Sequence, residues 1–148
     1  MSLHPDFKDI LVAFATHKVE YVIVGGYAVA FHGQPRFTKD LDLWINPTGE
    51  NVDRTRAALV AFGAPDDMVS QLETAAPLDV LWMGVPPIRI DVVKGVPGGD
   101  FAQVYARRVE QRWDGVPVFV VGREDLIALK RASGRPQDLL DAEALAER

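Results

Sequence analysis

Residues 21–45 read YVIVGGYAVAFHGQPRFTKDLDLWI, and this stretch restricts the fold more than any other part of the chain. Its first four residues are apolar and rich in strand formers, and Gly25-Gly26 follows them directly. Residues 27–31 have the composition of a short helix. Residues 40–45 then alternate polar and apolar side chains, which predicts a strand. The stretch therefore predicts a strand, a glycine turn, a short helix and a second strand.

Two aspartates lie in the second predicted strand. Asp40 and Asp42 are two residues apart, and the side-chain period of a strand places both carboxylates on the same face. Two close carboxylates repel each other unless a cation or protons neutralise them. Hard oxygen ligands suit magnesium or manganese (Mg²⁺ or Mn²⁺) better than zinc. The pair therefore predicts a divalent-metal site, the alternative being two solvated side chains on an exposed sheet face.

A third aspartate lies in a later apolar segment. Residues 88–93 read IRIDVV, which predicts a strand, and Asp91 interrupts its apolar run. A buried carboxylate without a partner is costly, so Asp91 is expected to face a cation. The residue is therefore a candidate third ligand for the metal that Asp40 and Asp42 would bind.

The glycine pair is a candidate phosphate-binding element. Backbone N–H groups at a glycine turn that leads into a helix point outward and attract anions. Gly25-Gly26 lacks the longer G-x-G-x-x-G spacing, and tight glycine turns are common in proteins that bind no phosphate. The turn therefore indicates a phosphate site only in combination with the aspartates.

Helices and strands alternate through the rest of the chain. Apolar residues at helical spacing predict helices over residues 5–17, 50–62 and 124–131 and after Pro136, with a helical turn at 101–106. Strands are predicted over residues 79–83, 88–93, 109–113 and 116–121, the last two joined by Asp114-Gly115, a strong hairpin signal. This order predicts an α/β (α+β) sheet covered mainly by helices, in a single domain over residues 1–148.

The composition excludes several classes of protein. The chain has 148 residues, a formal net charge of -5 and no cysteine, so a disulfide framework and a thiolate zinc site are ruled out. The acidic balance argues against non-specific coating of nucleic acid, which needs a strongly basic surface. No apolar run is long enough for a membrane span, and no secretory signal is recognisable. A cytoplasmic protein without membrane association is the expectation.

The motifs resemble those of the nucleotidyltransferases of the DNA polymerase β superfamily. The superfamily pattern is an apolar strand, Gly-Gly or Gly-Ser, a short helix and Asp-x-Asp, which here reads VIVGG at 22–26 and DLDL at 40–43. Residues 25–40 are similar to the minimal bacterial and archaeal enzymes related to abortive-infection nucleotidyltransferase toxins. Residues 129–139, LKRASGRPQDL, resemble the C-terminal helix signature of that group. The resemblance extends from Tyr21 to Leu145.

The resemblance implies a nucleotidyltransferase fold, with a mixed twisted sheet flanked by helices, and a role for each aspartate. Asp40 and Asp42 would bind the metals, and Asp91 would bind the second metal and orient or deprotonate the attacking hydroxyl. The substrate would be a nucleoside triphosphate (NTP) such as ATP, and pyrophosphate would leave. Gly25 and Gly26 would present N–H groups to its β- and γ-phosphates.

Further phosphate contacts are expected from Arg36, Thr38 and Lys130, which carry suitable donors. Each also has an ordinary structural interpretation. Arg36 would form a salt bridge to an aspartate, Thr38 would cap a turn, and Lys130 would be a solvated helix residue. His32 is expected to close the short helix rather than to take part in catalysis.

The sequence is compatible with three functions. The first is a nucleotidyltransferase that acts on a hydroxyl of RNA, protein or a small molecule, as part of a toxin-antitoxin or phage-defence system. The second is a catalytically silent, antitoxin-like binding module on the same fold. The third is a metal-dependent nuclease, which would leave the glycine turn without a role. The chain lacks the long helical extensions of larger toxin-type members, so a partner subunit or homodimer is expected to complete the acceptor site.

Overall fold

A computed structural model describes residues 2–33, 38–85 and 87–147. Helices and strands alternate along most of this length. The helices are α1 (Pro5–Thr16), α2 (Gly25–Phe31), α3 (Gly49–Phe62), α4 (Asp66–Gln71), α5 (Phe101–Ala106), α6 (Arg123–Ser133) and α7 (Pro136–Ala146). The strands are β1 (Tyr21–Val24), β2 (Asp40–Ile45), β3 (Leu81–Met83), β4 (Arg89–Val93), β5 (Val109–Trp113) and β6 (Val116–Val120).

The strands form a mixed sheet in the order β3-β4-β2-β1-β6-β5. β2 is parallel to β4 and antiparallel to β1, while β1 is parallel to β6. The β5–β6 hairpin turns at Asp114 and Gly115, which both have positive φ, as a tight two-residue turn requires. The predicted mixed sheet flanked by helices is confirmed, and so is the predicted hairpin.

The helices cover the sheet with apolar faces. α1 begins with Pro5, and the ring Nδ1 of His4 accepts a hydrogen bond from the backbone N–H of Asp6 at 3.1 Å. The apolar face of α1 is buried against the sheet and α3 and includes Phe7, Ile10, Leu11 and Phe14. None of the helices within the three described ranges is long and apolar enough to cross a membrane.

Several element boundaries differ by one or two residues from the sequence-based prediction, and one helix was not expected. The short helix begins at Gly25 rather than at residue 27, so the glycines form its first turn. β3 begins at Leu81 rather than at residue 79, because the Asp79 carboxylate accepts a hydrogen bond from the N–H of Ala76 and closes a turn there. α4 was not predicted, because a six-residue helix is too short to show helical periodicity.

One buried asparagine ties α3 to the ends of two strands. Asn51 is fully buried and accepts a hydrogen bond from the N–H of Glu20 at 2.7 Å. Its amide group donates to the carbonyl of Glu20 at 3.0 Å and to the carbonyl of Asn46 at 2.9 Å. Asn51 therefore satisfies three backbone groups next to β1 and β2 and fixes α3 against them.

Replacing Asn51 with alanine is expected to destabilise the protein by about 2 to 3 kcal/mol, because buried backbone groups lose their partners. Urea unfolding measures this change. Asp53→Ala on the same helix removes only an exposed ion pair with Arg56 and is expected to change stability by about 0.5 kcal/mol or less. Equal effects of the two substitutions would contradict the role assigned to Asn51.

Candidate active site

Asp42 and Asp91 lie side by side on neighbouring strands. The parallel register of β2 and β4 pairs the two residues directly. Their neighbours Leu41 and Ile90 are buried in the core, so the strand alternation turns both aspartates to the opposite face of the sheet. The two carboxyl groups are close enough for Asp91 to raise the pKa of Asp42.

The environment of Asp42 disfavours its charged form. Burial is the largest cause, and together with the charge and hydrogen bond of Asp91 it raises the pKa of Asp42 to about 7. Asp40 adds a smaller effect in the same direction, whereas the charge of Lys130 opposes it. Burial and the neighbouring carboxyl groups therefore together outweigh the opposing effect of Lys130 on the pKa of Asp42.

Asp40 lies one pleat away from the pair. It is the first residue of β2, is exposed, and shares a face with Asp42 because the two are two residues apart. Within the described part of the chain, no three His, Asp or Glu side chains are already grouped as ligands of one ion. The structure thus brings Asp42 and Asp91 into contact and places Asp40 beside them.

Gly25 lies directly against the Asp42 carboxylate. A β-carbon on Gly25 would lie 2.1 Å from Asp42 Oδ2 and 2.8 Å from Asp42 Cγ, both far inside van der Waals contact. The φ angle of Gly25 is +71°, which side-chain-bearing residues rarely adopt. Glycine is therefore required here both by the backbone conformation and by the carboxylate.

The acid pair and Gly25 open into a cleft of about 490 Å³. Lys130 on α6 lines the same cleft, so the structure places a lysine, a glycine turn and two carboxylates around one cavity. Its walls are Val24, Gly25, Asp42, Leu43, Leu78, Val80, Asp91, Val93, Gly95, Val96, Pro97, Leu126, Leu129, Lys130, Ser133, Arg135 and Asp138. Among the predicted site residues, Gly25, Asp42, Asp91 and Lys130 are therefore brought together.

Lys130 is buried, which excludes the interpretation of a solvated helix residue. Its side-chain Nζ contacts a carboxylate oxygen of Asp138 at 3.1 Å and one of Asp141 at 3.2 Å, both on α7. Asp138 also accepts hydrogen bonds from Ser133 Oγ at 2.5 Å and from Arg135 Nε at 3.0 Å. This network fixes the ammonium group at the wall of the cleft and joins α6 to α7.

Asp138 is expected to make the protein less stable in acid. Burial alone would raise its pKa, but the hydrogen bonds from Ser133 and Lys130 and two nearby cations outweigh burial, so its pKa is lowered. A lowered pKa contributes stability that is complete above the unfolded value, about 4, and is lost as the pH falls through the folded value. Asp138→Asn should therefore flatten the fall in unfolding free energy below about pH 4, measured by urea titration. An equal fall in both proteins would contradict this, and the exposed Asp53→Asn provides the control.

Arg89 is a charged residue at the site that sequence reasoning missed. Its Nε donates to Asp91 Oδ1 at 2.6 Å, and its guanidinium carbon lies 4.8 Å from the ring centroid of Trp82. Residues two apart on a strand share a face, so the sequence did contain a signal for the contact between Arg89 and Asp91. Trp82 could not be placed there from sequence, because its pairing with Asp91 depends on the register of β3 and β4.

The remaining predicted residues are not among those that line the cleft, or they fall outside the described ranges. Thr38 Oγ1 bonds to the backbone of Asp40, donating to its carbonyl at 3.1 Å and accepting from its N–H at 3.3 Å, so it caps the turn before β2. His32 Nε2 donates to the carbonyl of Val121 at 2.7 Å, a structural contact. Gly26 lies in the first turn of α2. Arg36 falls in residues 34–37, outside the described part of the chain.

The donor set fits a hard divalent cation. Asp40, Asp42 and Asp91 supply only carboxylate oxygens, the ligands that magnesium and manganese prefer. The Asp42–Asp91 contact and the raised pKa of Asp42 show that negative charge is concentrated at this point. A divalent cation at the pair would offset the repulsion between the two carboxylates.

The mixed sheet contains the strand–Gly-Gly–helix unit expected from residues 21–45, and its first glycine touches an aspartate of a neighbouring strand. The chain belongs to a family described as nucleotidyltransferase of unknown function (DUF6036), whose model matches residues 6–146. The class anticipated from the sequence motifs is thereby confirmed.

Among solved structures, one match supports this fold and a second is too distant to add to it. One is ANT(2″)-Ia in complex with adenylyl-2″-tobramycin, with a TM-score of 0.56 and 18% identity over 95% of this chain and 84% of that chain. Another is an antigenic nucleotidyltransferase-like protein from Paracoccidioides brasiliensis, with a TM-score of 0.46 and 18% identity over 98% of this chain and 78% of that chain. No curated protein matches the sequence.

Proposed function

We propose that this chain is a metal-dependent enzyme that transfers a nucleoside monophosphate from a nucleoside triphosphate to an acceptor hydroxyl. One observation carries the proposal. The paired carboxyl groups of Asp42 and Asp91 share a cleft with Gly25 and with the ammonium group of Lys130. Nucleotidyl transfer needs these parts together, because anionic phosphates must be bound next to the acids that hold metal ions.

The aspartates divide the chemical work. Asp40, Asp42 and Asp91 would hold Mg²⁺ or Mn²⁺, which supplies charge stabilisation to the entering and leaving oxygens. Asp91 orients the acceptor hydroxyl and takes its proton. The acceptor oxygen then forms a bond to the α-phosphorus, the bond between that phosphorus and the β-phosphate bridging oxygen breaks, and pyrophosphate leaves.

The triphosphate binds at the Gly25-Gly26 turn, which packs against Asp42. Gly25 and Gly26 contribute backbone N–H groups, and Gly25 permits close approach because it has no side chain. Lys130 contributes a point charge: its Nζ donates a hydrogen bond to Asp138 and forms an ion pair with Asp141, and an ammonium group has three N–H donors in all. Arg36 is a further proposed donor, whereas Thr38 would donate to a phosphate only by giving up its hydrogen bond to the carbonyl of Asp40.

The acceptor belongs to RNA, a protein or a small molecule, and the setting we propose is a toxin-antitoxin or phage-defence system in the cytoplasm. Sequence motifs similar to toxin-type nucleotidyltransferases support this setting. Leu78 and Val80 at the wall of the cleft are exposed, so a partner subunit or a second copy of the chain has apolar surface to contact there.

One observation favours a catalytically silent binding module. Asp91 is engaged by Arg89 at 2.6 Å, and Lys130 by two aspartates, so both groups already have partners of opposite charge. In a silent module these ion pairs would persist, and neither Asp91 nor Lys130 would bind a ligand. An enzyme would bind a cation at Asp91 and a phosphate at Lys130 in addition to the existing partners.

Label transfer tests the enzyme assignment. The protein is incubated with each α-labelled nucleoside triphosphate and Mg²⁺ or Mn²⁺, together with total RNA, cell protein or small-molecule extract. We expect covalent label on one acceptor class, dependent on the divalent cation and absent with EDTA or with Asp42→Ala. Label transfer that survives both controls, or no transfer to any class, would contradict the proposal, and release of nucleotides from RNA without label incorporation would favour a nuclease.

Replacing Lys130 with methionine is expected to raise the KM for the nucleoside triphosphate by about tenfold or more, because a charge-assisted phosphate contact is lost. Steady-state kinetics on the folded variant measure this, with circular dichroism as the check on folding. Arg131→Met is the matched control, since Arg131 is the next residue on α6 and is exposed outside the cleft. A KM that rises equally in both variants would indicate a general charge effect rather than a contact from Lys130.

A further inference from the structure

We propose that Arg89 is a positioning residue for Asp91, and that Trp82 holds Arg89 in place for this role. The proposal rests on the proposed function, since Asp91 matters as a ligand and proton acceptor of the transfer reaction. It assigns a task to two residues that the transfer chemistry above leaves unused. The observation behind it is a continuous chain of contacts from an exposed tryptophan to the Asp42–Asp91 pair.

Arg89 occupies one oxygen of the Asp91 carboxylate. Its Nε donates to Oδ1 at 2.6 Å, a short charge-assisted hydrogen bond. The same carboxyl group contacts Asp42 on the neighbouring strand. A carboxylate held on one side by arginine has its rotation restricted, and its second oxygen is left for Asp42 or a cation. Arg89 therefore sets the direction in which Asp91 enters the metal site.

Trp82 restricts Arg89 in turn. The guanidinium carbon of Arg89 lies 4.8 Å from the indole centroid, within the range of a cation–π contact. Trp82 is 53% exposed, whereas Trp44 and Trp113 are 1% and 2% exposed, so Trp82 does not serve the core. A planar guanidinium that rests on a ring keeps a fixed orientation, which a flexible ammonium group would not.

The strand order places this chain of contacts on the side of Asp42 that is away from Gly25. Gly25 follows β1, Asp42 is on β2, Asp91 on β4 and Trp82 on β3, and these strands are consecutive neighbours in the sheet. An in-line displacement requires the leaving pyrophosphate and the attacking hydroxyl on opposite sides of the α-phosphorus. With the triphosphate at Gly25, the acceptor hydroxyl approaches from the side of Asp91 and Arg89.

Arg89 has two opposite effects on cation binding. As a nearby positive charge, Arg89 repels a divalent cation, so its removal would strengthen cation binding. As a group that orients a ligand, it supports cation binding, and removal of such a partner weakens metal affinity by about ten- to a hundredfold. The side chain is partly exposed, so solvent screens its repulsion and the orienting effect is expected to dominate.

Calorimetric titration with Mn²⁺, without nucleotide, distinguishes these effects in the full-length protein. We expect Arg89→Gln and Arg89→Lys both to bind Mn²⁺ about tenfold more weakly than the unsubstituted protein, since neither supplies the Nε fork. Arg107→Gln is the control, because it removes an Arg–Asp ion pair, with Asp125, outside the cleft. Unchanged or tighter Mn²⁺ binding in Arg89→Gln, or full affinity in Arg89→Lys, would overturn the proposal.

Substitution of Trp82 tests the second half of the proposal. Trp82→Phe keeps a ring face and is expected to bind Mn²⁺ nearly as well as the unsubstituted protein, whereas Trp82→Ala should weaken binding in the same direction as Arg89→Gln. In the double variant Trp82→Ala with Arg89→Gln, the loss should be no larger than with Arg89→Gln alone. Additive losses, or a Trp82→Ala variant with full affinity, would overturn the role of Trp82.

Kinetics separate a positioning role from a structural one. Where label transfer is measured, Arg89→Gln should lower kcat by about tenfold or more and leave the KM for the triphosphate unchanged, because Arg89 lies on the acceptor side. A change in thermal stability alone, with kcat and Mn²⁺ affinity intact, would show a merely structural salt bridge.

If the unsubstituted protein binds no Mn²⁺, the metal site fails and this inference with it. If it binds Mn²⁺ and Arg89→Gln binds it equally well, only the inference fails.

Discussion

Replacing Asp42 with asparagine is expected to abolish nucleotidyl transfer, by about a thousandfold or more in kcat/KM, while leaving the fold intact. Asparagine has the size of aspartate, so its fit against Gly25 is preserved. It has no negative charge, however, and so removes the residue that would bring Asp40 and Asp91 together around a cation. No other substitution is expected to have a larger effect on activity.

The same substitution is expected to stabilise the metal-free protein at alkaline pH. The pKa of Asp42 is raised to about 7 by burial and by Asp91, so the folded state binds its proton more tightly than the unfolded chain does. The unsubstituted protein therefore loses stability as the pH rises from about 4 to about 7, and asparagine has no such proton to lose. The gain in unfolding free energy of Asp42→Asn should be larger at about pH 8 than at about pH 5.

Denaturant titration in EDTA at the two pH values, combined with label transfer in Mg²⁺, measures both effects on one preparation. Asp53→Asn, at an exposed position on α3, is the control and should change neither the unfolding free energy nor label transfer. Full activity in Asp42→Asn would remove Asp42 from the chemistry. A stability gain that does not depend on pH would contradict the proposed repulsion between the two carboxyl groups.

Replacing Gly25 with alanine is expected to lower transfer activity by about a hundredfold or more and to destabilise the protein by about 1 to 3 kcal/mol. The new β-carbon would lie 2.1 Å from Asp42 Oδ2, so either the carboxylate or the turn has to move. The φ angle of +71° adds strain for any residue with a side chain. Activity is expected to fall more than stability, because the displaced group is the proposed metal ligand.

Gly115→Ala separates the contribution of backbone strain from that of the clash. Gly115 has a φ angle of +80°, and a β-carbon there would meet nothing within 4 Å. We expect Gly115→Ala to lower the unfolding free energy by about as much as backbone strain does at Gly25, and to leave label transfer unchanged. If Gly25→Ala were no more harmful to activity than Gly115→Ala, the close packing of Gly25 on Asp42 would have no functional importance.

The parts of the site that follow local periodicity were predictable from the sequence. The alternation over residues 40–45 placed Asp40 and Asp42 on one face, and the structure confirms this alternation in β2. The Asp-Gly pair predicted the β5–β6 hairpin for a similarly local reason. Patterns of this kind involve residues within one turn or one strand. Short-range sterics determine the conformation of such segments.

The parts that depend on strand order were not predictable from periodicity alone. The lone charge of Asp91 indicated a partner, but its pairing with Asp42 requires β2 and β4 to be adjacent and parallel. The sequence leaves open whether Lys130 contacts phosphate or is solvated, because the carboxylates that bury it come from a different helix, α7. The contact of Arg89 with Trp82 likewise depends on the register of a three-residue edge strand.

The parallel pairing of β2 with β4 has a consequence for folding kinetics. Parallel neighbours need a long crossover, here the chain from Asn46 to Ile88, so the Asp42–Asp91 contact is made only after a large loop has closed. Contacts of such sequence separation form late and slow the folding of a domain. During refolding from urea, recovery of Mn²⁺ binding should therefore coincide with the slowest, global phase and not with the earlier formation of helices.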